Sequence, residues 1–276
     1  MDLLDKTNYP KVIEALEPVT INHLFARAVV EHHISGKVYV DDRENPSTFY
    51  IVHPYGMSLL LGKNDNEDFN EAFKEYALNT NGNRQAYEWM QAFPNGWHST
   101  LKKLLADCLV HPSENEHPFP SNLIALHTRV NFKFNPKAYA AFKNKLEGIV
   151  GAVIETTQKE YATMEGAVVP SKFWNGAADF LANGMGYSTY VDNTLACTAF
   201  SAFLIDDKLE LGMETVPKFR GRGLAQYTCS RLIDYCLQKN YTPVWACRLE
   251  NTGSLQLAQK LGFEPTIQLP YYRLSN

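Results

Sequence analysis

Apolar positions change period in a regular order along the second half of the chain. Gly186 to Val191 and Leu195 to Leu204 are β-rich, which predicts two strands joined by the turn-forming pair Asp192-Asn193. Lys208 to Thr215 alternates as a third strand. From Leu224 to Lys239 the period lengthens to that of an amphipathic helix, with Ala225, Cys229, Leu232 and Cys236 as the inward stripe and Asn240 placed to end it. Val244 to Arg248 reads as a strand, Ser254 to Leu261 as a helix closed by Gly262, and Phe263 to Leu274 as a last strand or pair of strands. The order is βββαβαβ, preceded by a short helix from Trp174 to Leu181 that ends near Gly184.

The first half is less regular. Val12 to Leu16 and His23 to Glu31 have helical spacing, while Lys37 to Asp41 and Thr48 to His53 read as strands. His111 to Pro120 is a loop by composition; behind it Leu123 to Phe134 alternates as a strand and Pro136 opens a helix through Leu146. Two parts are therefore expected, an α+β part over 1–134 and an α/β part over 135–276. Gly36-Lys-Val-Tyr-Val-Asp-Asp42 and Leu59-Leu-Leu-Gly62 echo Gly186-Tyr-Ser-Thr-Tyr-Val-Asp192 and Leu209-Glu-Leu-Gly212. A degenerate copy and a chance match both remain open, because no glycine turn follows Gly62.

Composition narrows the class. With 276 residues, 45% hydrophobic and 20% charged, the chain can bury one large core or two moderate ones. A net charge of −4 without a basic run argues against a nucleic-acid partner. No apolar run approaches the roughly 20 residues a membrane span needs, and Met-Asp-Leu-Leu-Asp-Lys lacks a signal-peptide layout, so no membrane partner and a cytoplasmic location are expected. The five cysteines show neither zinc spacing nor a disulfide framework, and all eight histidines precede Arg129 in no ligand pattern, so no metal is expected.

The chemistry concentrates in Glu214-Thr-Val-Pro-Lys-Phe-Arg-Gly-Arg-Gly-Leu-Ala225, a strand that stops in a glycine turn and restarts as a helix. Gly221 and Gly223 let backbone approach a ligand, Arg220 and Arg222 supply charge, and the first N–H groups of the helix, at Leu224 and Ala225, point at whatever anion sits there. A dinucleotide fold would need a third glycine where Gln226 stands, and a P-loop would need Lys-Ser/Thr after Gly223. Neither is present.

What remains, Arg-x-x-Gly-x-Ala over Arg220 to Ala225, resembles the acyl-CoA loop of the GNAT N-acetyltransferase superfamily. Downstream, Asn251-Thr-Gly-Ser254 and Leu257-Ala-Gln-Lys-Leu-Gly-Phe263 are similar to that family's Asn-x-x-Ala/Ser helix ending in Leu-Gly-Phe. The match covers roughly Pro170 to Leu274, and the whole-chain layout resembles the two-part GNAT subfamily that includes the zwittermicin-resistance acetyltransferase. The resemblance implies a mixed, mostly antiparallel GNAT sheet in the C-terminal part and acetyl-CoA as co-substrate. It further implies that Met213, Thr215 and Val216 lend their backbone to the pantetheine arm, and that Arg220 to Ala225 frame the pyrophosphate. Asn251 and Ser254 would approach the pantetheine or its sulfur; capping of the last helix is the other reading of Asn251.

Transfer to an amine needs a base, a polarised carbonyl and a proton for the thiolate. Glu210 and Glu214 share one face of their strand with Gly212 between them, opposite Leu211, Met213 and Thr215. Glu214 is nearer the turn and is the first candidate base; a solvated strand face is the alternative. The Met213 N–H would polarise the carbonyl. Many family members carry a Tyr five residues before the Phe of Leu-Gly-Phe, and here that position is Ala258. Ser254, Tyr271 and Tyr272 are candidate acids by location, with solvent protonation of the thiolate as another route. Phe173 and Trp174 beside Tyr187 and Tyr190 line either an acceptor pocket or a core.

The expected protein is thus an N-acetyltransferase acting on a primary amine of a small molecule by direct attack in a ternary complex, as monomer or homodimer. No cysteine sits in an activating setting for an acyl-enzyme. A non-catalytic acyl-CoA-binding regulator or sensor is the alternative, favoured by Ala258.

Overall fold

The computed structural model describes residues 1–82, 84–111, 122–146 and 151–274, so the expected loop beyond His111 lies outside the described residues. Met1–Val130, Arg248–Glu250 and Ile267–Asn276 form one compact unit, and Asn131–Cys247 with Asn251–Thr266 form the other. A single cut after residue 134 does not describe this division. The last strand, 12 residues from Phe263 to Leu274, spans about 40 Å at ~3.3 Å per residue, and its far end returns to the first unit.

In the first unit the strands are β1 (Asp2–Leu3), β2 (Lys37–Val40), β3 (Thr48–Val52), β4 (Met57–Gly62), β5 (Glu88–Phe93) and β6 (Leu109–Val110), and β7 (Ile124–Phe134) begins there. Helices α1 (Tyr9–Leu16), α2 (Leu24–Val30), α3 (Glu67–Ala77) and α4 (Gly96–Leu104) accompany them. β3 and β4 form an antiparallel pair, and α3 carries the chain across to β5, which runs parallel to β4. Asn66 caps α3 by accepting the Phe69 N–H at 3.0 Å, Glu67 and Asp68 sit in its first turn, and Phe69, Phe73 and Ala77 face inward at helical spacing. They pack with Tyr50, Leu60, Met90 and Trp97 in a core that also takes Tyr272 and Leu274.

The second unit repeats that order. After α5 (Pro136–Lys143) come β8 (Ala152–Glu155), α6 (Gln158–Thr163), α7 (Ala177–Asn183), β9 (Gly186–Val191), β10 (Thr194–Ile205), β11 (Lys208–Thr215), α8 (Leu224–Gln238), β12 (Thr242–Val244), β13 (Ala246–Arg248), α9 (Thr252–Lys260) and β14 (Phe263–Leu274). One sheet has the order β12-β11-β10-β9-β8, antiparallel except for the β11–β12 pair. β10 and β11 form the hairpin, α8 crosses over, and β12 lies parallel to β11. Pro243 is tolerated because β12 is the sheet's edge. Cys229, Leu232, Ile233 and Cys236 of α8 are buried against Leu209 and Leu211 of β11, with Trp245, Ala258 and Phe263 completing the core. Ala225, expected in the stripe, is only partly buried. No helix among the described residues is long and apolar enough to cross a membrane.

The face of β11 away from α8 is built around Phe200. A Cβ placed on Gly212 would meet the Phe200 ring at 2.5 Å, so the ring packs directly against the glycine. Phe173 packs edge-on against Phe200 and Phe203, with centroids 5.5 and 5.6 Å away, and the Trp174 indole donates to the Ser201 carbonyl at 2.8 Å. Phe173 and Trp174 therefore serve the core here, while Tyr190 donates to Glu160 and Tyr187 lies near Arg231. Gly212→Ala should destabilise the protein by about 1–3 kcal/mol through overpacking, and Phe200→Leu in the same chain should restore most of that loss. Denaturant unfolding of the single and double variants measures both.

Candidate functional site

β11 is paired with β12 only at Lys208–Thr242, Leu209–Pro243 and Glu210–Val244. β12 ends at Val244, Trp245 interrupts the extended run, and β13 is not part of this sheet. On that side Leu211 to Thr215 continue as an unpaired edge, where another extended chain can form ladder bonds. On the other side they stay paired with β10, whose extra residue, Ala202, lets Ser201 face Leu211 and Phe203 face Glu210.

The edge leads into the turn. Val216 is pinned by its N–H to the Ala196 carbonyl at 2.9 Å, and a 3₁₀ turn from Pro217 to Phe219 follows. Gly221 at φ +76° and Gly223 at φ +77° occupy the left-handed region, where a side chain is strained. Gly223 is itself the N-cap of α8 and offers no side-chain oxygen to the helix. The leading N–H groups, at Leu224, Ala225 and Gln226, have no preceding carbonyl within the helix and are available to an anion. Lys218 Nζ and the Arg222 guanidinium flank the Phe219 ring at 4.9 and 5.4 Å from its centroid, holding two cations beside the turn. This donor set fits a pyrophosphate, and the open edge before it fits an amide-bearing arm.

Arg220 is used differently from the expectation. Its Nε donates to the Thr215 carbonyl at 3.0 Å and its Nη2 to Glu214 Oε1 at 3.1 Å, so the side chain folds back and braces the turn against its own strand. The other oxygen, Glu214 Oε2, accepts the N–H groups of Ala167 and Val168 at 2.9 and 3.1 Å. Lys172 holds the same loop by donating to the carbonyls of Gly166 and Ala167 at 2.9 and 3.3 Å. A Cβ on Gly166 would lie 2.5 Å from Glu214 Cγ, so glycine lets the loop close onto the carboxylate. Glu214 is thus a clasp joining loop, strand and turn, with three of a carboxylate's roughly four acceptor positions occupied. Glu210, four residues earlier, is 5% exposed and sits at the last β11–β12 pair, where the edge opens.

Other expected residues divide clearly. Asn251 caps α9, its Oδ1 accepting the Ser254 N–H at 3.2 Å, and the Ser254 hydroxyl accepts the Trp245 indole N–H at 3.2 Å. Thr215 faces inward with its hydroxyl 3.2 Å from Cys197 Sγ, and Met213 is partly buried beside α8. Tyr272 and Tyr271 are corrections to the candidate acids. Both are core residues of the first unit, Tyr272 paired with Met90 in β5 and Tyr271 stacked on Trp89. Burial pushes the Tyr272 phenol up to about 12, which makes it a poor proton donor. Ala258 is fully buried in the second unit's core. The contact between Glu214 and the loop at Ala167 and Val168 carried no sequence signal, because the partners are 46 to 47 residues apart.

Glu214→Ala is expected to accelerate amide exchange at Ala167 and Val168 by about tenfold or more, the effect of losing a charged acceptor. Unchanged exchange there would mean that the clasp does not form in solution.

Comparison with known proteins agrees with this geometry. A sequence model described as GNAT acetyltransferase matches residues 19–272. The chain is 25% identical over 248 residues to an uncharacterised N-acetyltransferase, YdfB, of Bacillus subtilis strain 168, across 90% of this chain and 89% of that protein. Among solved structures, a GCN5-related N-acetyltransferase-like protein from Streptococcus suis 89/1591 superposes with a TM-score of 0.70 at 18% identity, covering 96% of this chain and 97% of the other. A tandem GNAT protein from the clavulanic acid biosynthesis pathway gives 0.61 at 10% identity, covering 99% and 97%. These structures share the fold, in keeping with the repeated hairpin and crossover, and the matches do not single out the zwittermicin-resistance subgroup. By the match along nearly its whole length, this chain belongs to the GNAT acetyltransferase family.

Proposed function

We propose that the protein transfers an acetyl group from acetyl-CoA to a primary amine of a small molecule, by direct attack in a ternary complex. The observation that carries this reading is the opening of the β11–β12 pair after Glu210, leading along one free edge to a glycine-capped helix. The edge at Met213 to Val216 would take the amide-rich arm as an added strand, and the N–H groups from Arg222 to Ala225 would take the pyrophosphate. Acetyl-CoA supplies the acyl group already activated as a thioester.

Within this scheme Glu210 replaces Glu214 as the base. It faces the same side of β11, is shielded from bulk water and lies at the mouth of the opening, while Glu214 is committed to the clasp. The amine nitrogen bonds to the carbonyl carbon as the carbon–sulfur bond breaks, and Glu210 accepts the proton the nitrogen loses. The backbone N–H of Met213 is the candidate donor to the carbonyl oxygen. With Ala258 buried and Tyr272 in another core, the thiolate takes its proton from solvent or from the Ser254 hydroxyl.

The test is acetyl-CoA-dependent thiol release across amine classes. Glu210→Gln should lower kcat by about 100-fold or more while leaving the KM for acetyl-CoA within about twofold, and should flatten the rise of rate with pH. A flattened profile in Glu214→Gln with a normal one in Glu210→Gln would reverse the assignment. The buried Ala258 favours a second reading, a non-catalytic acyl-CoA sensor. Tight acetyl-CoA binding without transfer to any amine class would select it.

A further inference from the structure

The buried side of α8 carries a hydroxyl where its neighbours are apolar. Cys229, Leu232, Ile233 and Cys236 pack into the core, yet the buried residue one turn into the helix is Thr228. Its Oγ1 lies 2.8 Å from the Leu224 carbonyl oxygen and 2.6 Å from Thr189 Oγ1 of β9, which is also buried. A hydroxyl has one proton, and a carbonyl has none to give. The Thr228 proton therefore goes to Leu224, and the Thr189 hydroxyl donates to the Thr228 oxygen. Cys197 of β10 is a further hydrogen-bond neighbour of Thr228, and its sulfur accepts the Thr215 hydroxyl of β11 at 3.2 Å. All of these residues belong to the second unit. Valine would fill the same volume as Thr228, so packing alone does not call for the hydroxyl.

This chain of hydroxyls ends on one particular peptide group. The Leu224 carbonyl and the Ala225 N–H belong to the same conjugated amide. A hydrogen bond accepted by the oxygen draws electron density from the nitrogen, so the N–H becomes a better donor, by about 10–30% per bond in condensed-phase chains. Ala225 is the second residue of α8, and its N–H has no preceding carbonyl within the helix. The same bond ties the first turn of α8 to β9, at a helix start where Gly223 supplies no side-chain cap. One turn further on, the Ser230 hydroxyl donates to the Tyr227 carbonyl at 2.8 Å, but the N–H of that amide is Thr228's and lies inside the helix. Only the Thr228 bond acts on an N–H that an anion can reach.

We propose that Thr228 is a positioning residue for the anion site. Oriented by Thr189, it holds and polarises the Leu224–Ala225 amide, so that the Ala225 N–H binds the pyrophosphate of the acyl donor more tightly. The inference rests on the acyl-CoA reading of the turn and names the buried groups that tune it.

NMR titration of the full chain with acetyl-CoA, followed at the backbone amides, tests it. Thr228→Val should weaken acetyl-CoA binding by about three- to tenfold, the effect of altering one bond to a charged acceptor. In the ligand-free protein the Ala225 amide nitrogen resonance should move upfield in the same variant. Thr228→Ser, which keeps the hydroxyl, should restore both readouts, and Ser230→Ala should change neither. Thr228→Val takes away the acceptor of the Thr189 hydroxyl, so the double variant Thr189→Val/Thr228→Val removes the stranded group and should show the same loss of affinity. Wild-type affinity in the folded double variant, an unmoved Ala225 resonance, or an equal loss in Ser230→Ala would each overturn the inference and leave the acyl-CoA reading standing. No acetyl-CoA binding by the unaltered protein would overturn that reading and the inference with it.

Discussion

A parallel strand pair that lasts three residues and then stops governs the second unit. Lys208 to Glu210 are bonded to Thr242 to Val244, and beyond that point β11 runs on with one edge free. A free edge inside a folded unit is normally a liability, since its N–H and C=O groups invite pairing with another chain. Here the edge ends in the Gly221 and Gly223 turn and the start of α8 without a side-chain cap, so the same extended stretch that exposes backbone also leads to the helix's leading N–H groups. The clasp from Glu214 to Arg220 and to the loop at Ala167 ties the edge to its surroundings without filling the opening.

The first unit shows what the opening changes. Its hairpin, crossover helix and parallel strand have the same order, yet β4 and β5 stay paired over five residues, from Met57–Trp89 to Leu61–Phe93. Gly62 is followed by Lys63-Asn-Asp-Asn66, and Asn66 caps α3 with its own side chain, so the Phe69 N–H already has a partner within the unit. From Met57 to Leu61 the pairing therefore leaves no free edge like that of β11, and one leading N–H of α3 is taken by its own cap.

Much of the second unit was legible because its elements are locally consistent. β9, β11 and β14 span the expected residues, and the glycines of the turn have the positive φ that their identity suggested. The face assignment on β11 holds too, with Leu211 toward α8 and Gly212 under Phe200. What escaped the sequence was non-local. α3 was missed because a polar run from Lys63 to Asp68 hides a narrow stripe of Phe69, Phe73 and Ala77. The role of Glu214 depends on a loop far away in sequence, and Tyr272 left the candidate site because the end of β14 pairs with β5. Arg248, Trp89 and Tyr271 come from three separate segments, and no spacing rule brings them together.

The proposed function places acyl-CoA along the open edge and turn of the second unit. Amide hydrogen exchange with and without saturating acetyl-CoA tests it at residue level. Strong protection is expected at Met213 to Val216 and at Arg222 to Ala225, with none at Gly62 to Glu67. Binding that leaves the first two segments unprotected, or that protects the first unit's counterpart as well, would contradict it.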